Sequence, residues 1–147
     1  CKGFRLPHDL GLLVSSFFLL AWYSYRLRYQ SYRSILDDIA RLKGPVKDKG
    51  QGCTAVGPGG GKREVLEKTW RAVNFYLRCI YRSNKPCLRR TAVLYHRCRL
   101  LGLEARAVVG VCKEKGELLS HAWLLLENEP FHELPAMLAR YNPIMEG

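Results

Sequence analysis

The chain has 147 residues, 48% of them apolar and 25% charged, which suits one domain with one real core and excludes wholesale disorder. Its net charge of +11 is unevenly spread: +5 over residues 1–61, +9 over 62–106 and −3 over 107–147. A basic middle beside an acidic end marks a polarised surface that can steer an acidic peptide, an acidic partner, anionic lipid or nucleic acid, and charge alone does not choose among them.

Residues 9 to about 43 are predicted as a long helix or helix pair, with Asp9 as N-cap and Gly44–Pro45 as the stop. Its first half is apolar nearly all round, and its second half alternates Arg with Tyr, Leu and Ile. The apolar run Leu10–Tyr23 has 14 residues, short of the roughly 20 that cross a bilayer. No small-residue cleavage site follows it, and Arg26 and Arg28 come next, so it does not fit a secretory signal. The expected roles are a helix packed on the core, or a docking face for a membrane surface or a partner protein.

Residues 44–61 (GPVKDKGQGCTAVGPGGG) read as a Gly/Pro-rich linker. The stretch GPGGGKR is not a phosphate loop, because Val56 stands where that motif needs Gly and Arg63 where it needs Ser or Thr. The chain thus divides into an N-terminal helical segment (1–43), the linker (44–61) and a catalytic core (62–147).

Within the core, residues 63–82 are predicted as a helix with Val65, Trp70, Val73, Leu77 and Ile80 near one face. Residues 86–101 form a second, with Pro86 in the first turn and Gly102 as the C-terminal cap. The period then changes. Residues 104–112 and 118–126 read as strands around a turn at 113–117, and a third short strand is expected around Pro130–Phe131. Helices followed by a small antiparallel sheet make the fold class α+β.

The six cysteines (Cys1, Cys53, Cys79, Cys87, Cys98, Cys112) form no CxxC pair and no zinc-finger spacing with His, so neither a structural metal nor a cofactor is expected. The helical placement of Cys79, Cys87 and Cys98 favours reduced, cytosolic thiols over a disulfide framework. Cys87 alone stands in a helix's first turn, where free N–H groups and the dipole favour a thiolate. A nucleophilic thiolate needs a base, and His121, mid-strand in LLSHAWLLL, must face a cleft or find a partner. Alternation puts His121, Trp123 and Leu125 on one face and Ala122, Leu124 and Leu126 on the other. His8, His96 and His132 compete for that role, but His96 is nine residues from Cys87 on one helix, roughly 13 Å. Glu127, Glu129 and Glu133 are the candidate acids for orienting the imidazole.

The segments KPCLRRTAVLYHRCRLLGLEARAVVGV (85–111) and SHAWLLLENEPF (120–131) resemble the transglutaminase-like B proteins of lasso-peptide biosynthesis. The matching motifs are Cys87-Leu88-Arg89-Arg90, the strand from Gly102 to Val111, and His121-Ala122-Trp123, and the resemblance covers most of the chain. It implies a transglutaminase/papain-like core and a cysteine peptidase that removes the leader from a ribosomally made precursor before macrolactam closure. It further implies Cys87 as nucleophile, His121 as general base and Glu133 at the position where the family commonly has Asp. The chain resembles the split form, which works with a separate leader-recognition protein and a lasso cyclase. On this reading the protein is cytoplasmic, with membrane-surface contact through the N-terminal helix, and does not bind nucleic acid. Arg89, Arg90, Arg97 and Arg99 would line a groove for an acidic peptide or form a solvated helix face. The alternatives are a transglutaminase-like acyltransferase and a non-catalytic basic adaptor for an acidic partner, membrane or nucleic acid.

Overall fold

The computed structural model describes residues 8–42, 59–80 and 86–147. In chain order these form α1 (His8–Tyr29), α2 (Tyr32–Ala40), α3 (Gly59–Cys79), α4 (Pro86–Leu101), β1 (Ala105–Glu114), β2 (Glu117–Leu126), β3 (Glu129–Pro130), α5 (Pro135–Leu138) and β4 (Asn142–Glu146). The strands make one antiparallel sheet in the order β3-β2-β1-β4, so the fold is α+β as expected. The N-terminal region is a helix pair, with Ser31 capping α2 through a hydrogen bond from the Ser34 N–H. Most of the expected linker, residues 44–58, lies outside the described residues, and Gly59–Gly61 already belong to α3.

One apolar core joins the helices to one face of the sheet. Leu20 and Tyr23 of α1, Ile35, Leu36 and Ile39 of α2, and Leu66, Val73 and Leu77 of α3 meet Ala92–Tyr95 and Cys98 of α4. Ala107, Leu124, Leu126 and Phe131 close it from the sheet side. On the opposite face of the sheet, Val108 and Trp123 pack with Leu138 of α5, beside Leu125 and Tyr141. The predicted alternation along β2 is therefore realised. The buried face of α3 differs from the expected one. It runs through Leu66, Thr69, Val73 and Leu77 with Trp70 partly buried against the core, while Ile80 is exposed. Thr69 can be buried because its hydroxyl donates to the Val65 carbonyl at 2.8 Å.

Two local turns end α4 and join the two central strands of the sheet. The α4 helix ends at Gly102 (φ 66°), where Leu103 N–H bonds to Cys98 O at 2.9 Å and Gly102 N–H to Arg99 O at 3.2 Å, a Schellman closure that needs a left-handed residue. The β1–β2 hairpin turns at Lys115–Gly116, both at positive φ, which matches the twist of the strands it joins.

The basic residues of α4 are not a single groove or a solvated face. Arg97 donates to Ser15 Oγ at 2.8 Å, and Arg99 donates to the Ala40 and Leu42 carbonyls at 2.8 and 3.1 Å, tying α4 to α1 and to the end of α2. Arg90 turns toward the chemistry described below.

The apolar stretch of α1 is longer than its 14-residue sequence run suggested. The helix continues through Ser24–Tyr29, and its Leu10–Tyr29 stretch is long and apolar enough to cross a bilayer by length and composition. One side packs on the core through Ser16, Leu20, Tyr23 and Ser24. The other side exposes Leu10, Val14, Phe18, Trp22, Tyr25 and Tyr29, a stripe at three- and four-residue spacing.

Candidate active site

Cys87 is the second residue of α4, so its sulfur lies among N–H groups that no helical carbonyl satisfies. Leu88 N–H bonds to that sulfur from within the first turn, and Ala122 N–H bonds to it from β2. The Ala122 contact follows from the sheet. The β3 strand pairs with β2 only at Leu125 and Leu126, with one further bond from Phe131 N–H to Leu124 O at 2.9 Å. Residues of the same parity direct their N–H groups to the same edge, so Ala122 points to where α4 begins.

His121, one residue earlier on β2, turns its ring to the face opposite the main core and hydrogen-bonds Cys87. Its ring lies over Gly110 of β1 in register and between Trp123 and Tyr141, with centroid separations of 6.1 and 5.5 Å. Gly110 is required there. A Cβ at that position would lie 2.8 Å from Trp123 Cη2 and 3.0 Å from Tyr141 Cβ. The ring's Nε2 meets Glu133 Oε1 at 3.4 Å, an ion-pair contact looser than a charge-assisted hydrogen bond.

Glu133 is fixed from three sides. Arg90 Nη2 donates to its Oε1 at 2.8 Å, and Arg90 Nη1 donates to Asn74 Oδ1 at 3.3 Å. The preceding residue, His132, has φ 57°, a left-handed conformation that is uncommon away from Gly and concentrates at functional sites. His132 stacks on Trp70 at 4.0 Å and its Nε2 meets Glu67 Oε2 at 2.6 Å, which clamps the segment carrying Glu133 to α3.

These contacts set the charge states. Burial by itself would raise the Cys87 thiol, but the hydrogen bond from His121, the N–H groups of Ala122 and Leu88 and the imidazolium charge outweigh it and hold the thiol below its ordinary value. Hydrogen bonds to Cys87 and to Glu133 push His121 up to about 9, against the opposing effect of burial. Burial likewise disfavours the Glu133 carboxylate, yet His121 and Arg90 keep it below its usual range. The arrangement favours a thiolate–imidazolium pair backed by a carboxylate. Elsewhere the same chemistry is suppressed: burial pushes Cys98 up to about 12.

Cys87, His121 and Glu133, singled out from sequence, are thus brought together, while the competitors are placed elsewhere. His96 bonds Tyr23 Oη through Nδ1 at 2.6 Å, and His132 is engaged by Glu67. Glu127 and Glu129 are exposed around the β2–β3 turn, where Glu127 and Asn128 both have positive φ. The side chain of His8 lies outside the described residues. Among the described residues no three His, Cys, Asp or Glu side chains converge to hold a metal ion. Sequence reading missed Arg90 as the partner of Glu133 and the Glu67–Trp70–His132 clamp. Arg90 was findable, since three residues after Cys87 it shares that helix face, whereas the clamp depends on a tertiary contact.

No curated protein and no solved structure matches the chain. The family model for the transglutaminase-like superfamily matches residues 20–146, from within α1 to the last residue of β4, and so spans all three site residues. The chain belongs to the transglutaminase-like superfamily.

Proposed function

We propose that the protein is a cysteine peptidase that cuts the leader peptide from a ribosomally synthesised lasso-peptide precursor before macrolactam cyclisation. The observation that carries this reading is the continuous contact from Cys87 through His121 to Glu133, at the N-terminus of a helix whose opening is Cys-Leu-Arg-Arg. The superfamily includes both cysteine peptidases and acyltransferases. The resemblance of residues 85–111 and 120–131 to the lasso-peptide B proteins favours peptidase activity, with a leader-recognition protein and a lasso cyclase as partners. The exposed apolar stripe of α1 supports contact with a membrane surface.

In this reaction the Cys87 thiolate attacks the scissile carbonyl, and the Cys87 N–H donates to the developing oxyanion. The carbon–nitrogen bond breaks as His121 gives its proton to the leaving amine, leaving a thioester on Cys87. His121, now neutral, takes a proton from water, which opens the thioester and regenerates the thiolate–imidazolium pair.

The test is the mass of the products when precursor and recognition protein are incubated with the enzyme. Two fragments that together carry one added water identify hydrolysis, and an amine adduct identifies acyl transfer. Undiminished cleavage by Cys87→Ala would overturn the assignment of the nucleophile.

A further inference from the structure

Beside the catalytic contacts lies a cleft of about 380 Å³, formed by one face of α3 and by Arg90 of α4. Its walls hold Trp70, Arg71, Asn74, Phe75, Arg78 and Arg90 beside the exposed Cys79, and among the described residues no acidic one lines it. Arg90 is shared. It faces the cleft and also holds Glu133 Oε1, and it lies one helical turn from Cys87, about 5 Å along the axis. An occupant of the cleft is therefore one side chain away from the catalytic contacts.

Three features describe that occupant. Arg71 and Arg78 are exposed on the cleft wall, and neither forms an ion pair with a described residue, so their charge is available. Phe75 between them is 58% exposed, an apolar surface for an aromatic or aliphatic side chain. Asn74 lines the cleft beside Phe75, and its Oδ1 accepts from Arg90, which fixes this part of the wall.

We propose that this cleft is the subsite for an acidic segment of the substrate peptide, with carboxylates on Arg71 and Arg78 and an apolar side chain on Phe75. Arg71 and Arg78 are two helical turns apart, about 10 Å, a span their long side chains extend to carboxylates four residues apart on one face of an extended peptide, about 13 Å. The location one side chain away from the catalytic contacts, and the small volume, favour a peptide over a nucleic acid strand. The assignment of the ligand as substrate rests on the peptidase reading, but binding can be measured without turnover.

The experiment uses Cys87→Ala, which removes the thiol, and a fluorescein-labelled heptapeptide Gly-Glu-Ala-Phe-Ala-Glu-Gly, whose two Glu and Phe share one face when extended, read by fluorescence anisotropy. The expected result is affinity at least about ten-fold above that of the Gln-for-Glu peptide, lost to a similar degree in Arg71→Gln/Arg78→Gln. The control Arg33→Gln/Lys113→Gln removes two exposed charges elsewhere and is expected to bind normally, which separates the cleft from the overall +11 field. Equal affinity for both peptides, equal loss in the control, or tighter binding of a single-stranded oligonucleotide through the same two arginines would overturn the proposal. If the peptide binds as expected while Cys87→Ala still cleaves precursor, the cleft stands and the peptidase assignment falls; the opposite pair of results reverses that.

Discussion

Glu133 accepts from Arg90 and faces the His121 ring, so it has two separable effects: it orients the imidazole and it holds the imidazolium charged. Glu133→Gln keeps the shape and removes the charge. His121 should then lose part of what raises it to about 9, and the alkaline limb of the rate profile should move to lower pH. The rate constant for turnover should fall by about 10²–10⁴, the scale seen when an orienting carboxylate is neutralised. Arg90→Gln acts through Glu133 instead. Without the guanidinium, Glu133 rises from its depressed position and the acidic limb should move up, a shift that a loss of packing alone does not produce. Both profiles come from peptide hydrolysis measured across the pH range. At this scale much was legible in the sequence. A cysteine beside Pro in a first turn and a histidine inside a hydrophobic strand are local signals. Choosing Glu133 over Glu127 and Glu129 was not legible from local pattern, because it depends on the left-handed turn at His132 and on Arg90 reaching across from α4.

At the level of elements, the site depends on how closely Trp123 of β2 and Tyr141, just before β4, pack over β1. Gly110→Ala would push a methyl into Trp123 and Tyr141, the two rings flanking His121. We expect a loss of about 1–3 kcal/mol in urea unfolding, together with reduced turnover as the His121 ring is displaced. The two sides of α1 give a second contrast. Leu20→Ala, at a fully buried position, should cost about 2–5 kcal/mol, whereas Phe18→Ser on the exposed stripe should stay within about 0.5 kcal/mol. Equal effects would show that the stripe is covered within the folded chain. The helices and the β1–β2 hairpin were readable because their periods are strong and their turns carry Gly or Pro. The short α5 and β4 were not, since Asn142–Glu146 is too short and mixed to show a period of two, and it becomes a strand only by pairing with β1. Arg97 and Arg99 show the same limit. Their sequence spacing reads as a charged face, and only the neighbouring helices reveal that they hold α1 and α2.

Across the whole molecule, the same charges that organise the site also tie stability to pH. His121 is raised from 6.5 to about 9, so its contribution is complete below 6.5 and is lost as pH rises through about 9. Glu133 is depressed below 4.5, so its contribution is present above 4.5 and is lost as pH falls through its lowered value. The stability gap between wild type and Glu133→Gln should therefore be largest between 4.5 and 6.5 and should shrink, without vanishing, above about 9, because Arg90 still pairs with Glu133 there. Denaturant melts of both proteins at an acidic and an alkaline pH check this, and a constant gap would contradict it. The central claim is that His121 holds Cys87 as a thiolate, and it can be measured without a substrate. Site-resolved alkylation of Cys87 by iodoacetamide, followed by mass spectrometry from about pH 5 to about pH 10, reports the thiolate directly. The account predicts an inflection below the ordinary thiol value of 9.0 in the native protein and a shift to 9.0 or above in His121→Ala, where burial acts with less to oppose it. The same inflection in both proteins would contradict it.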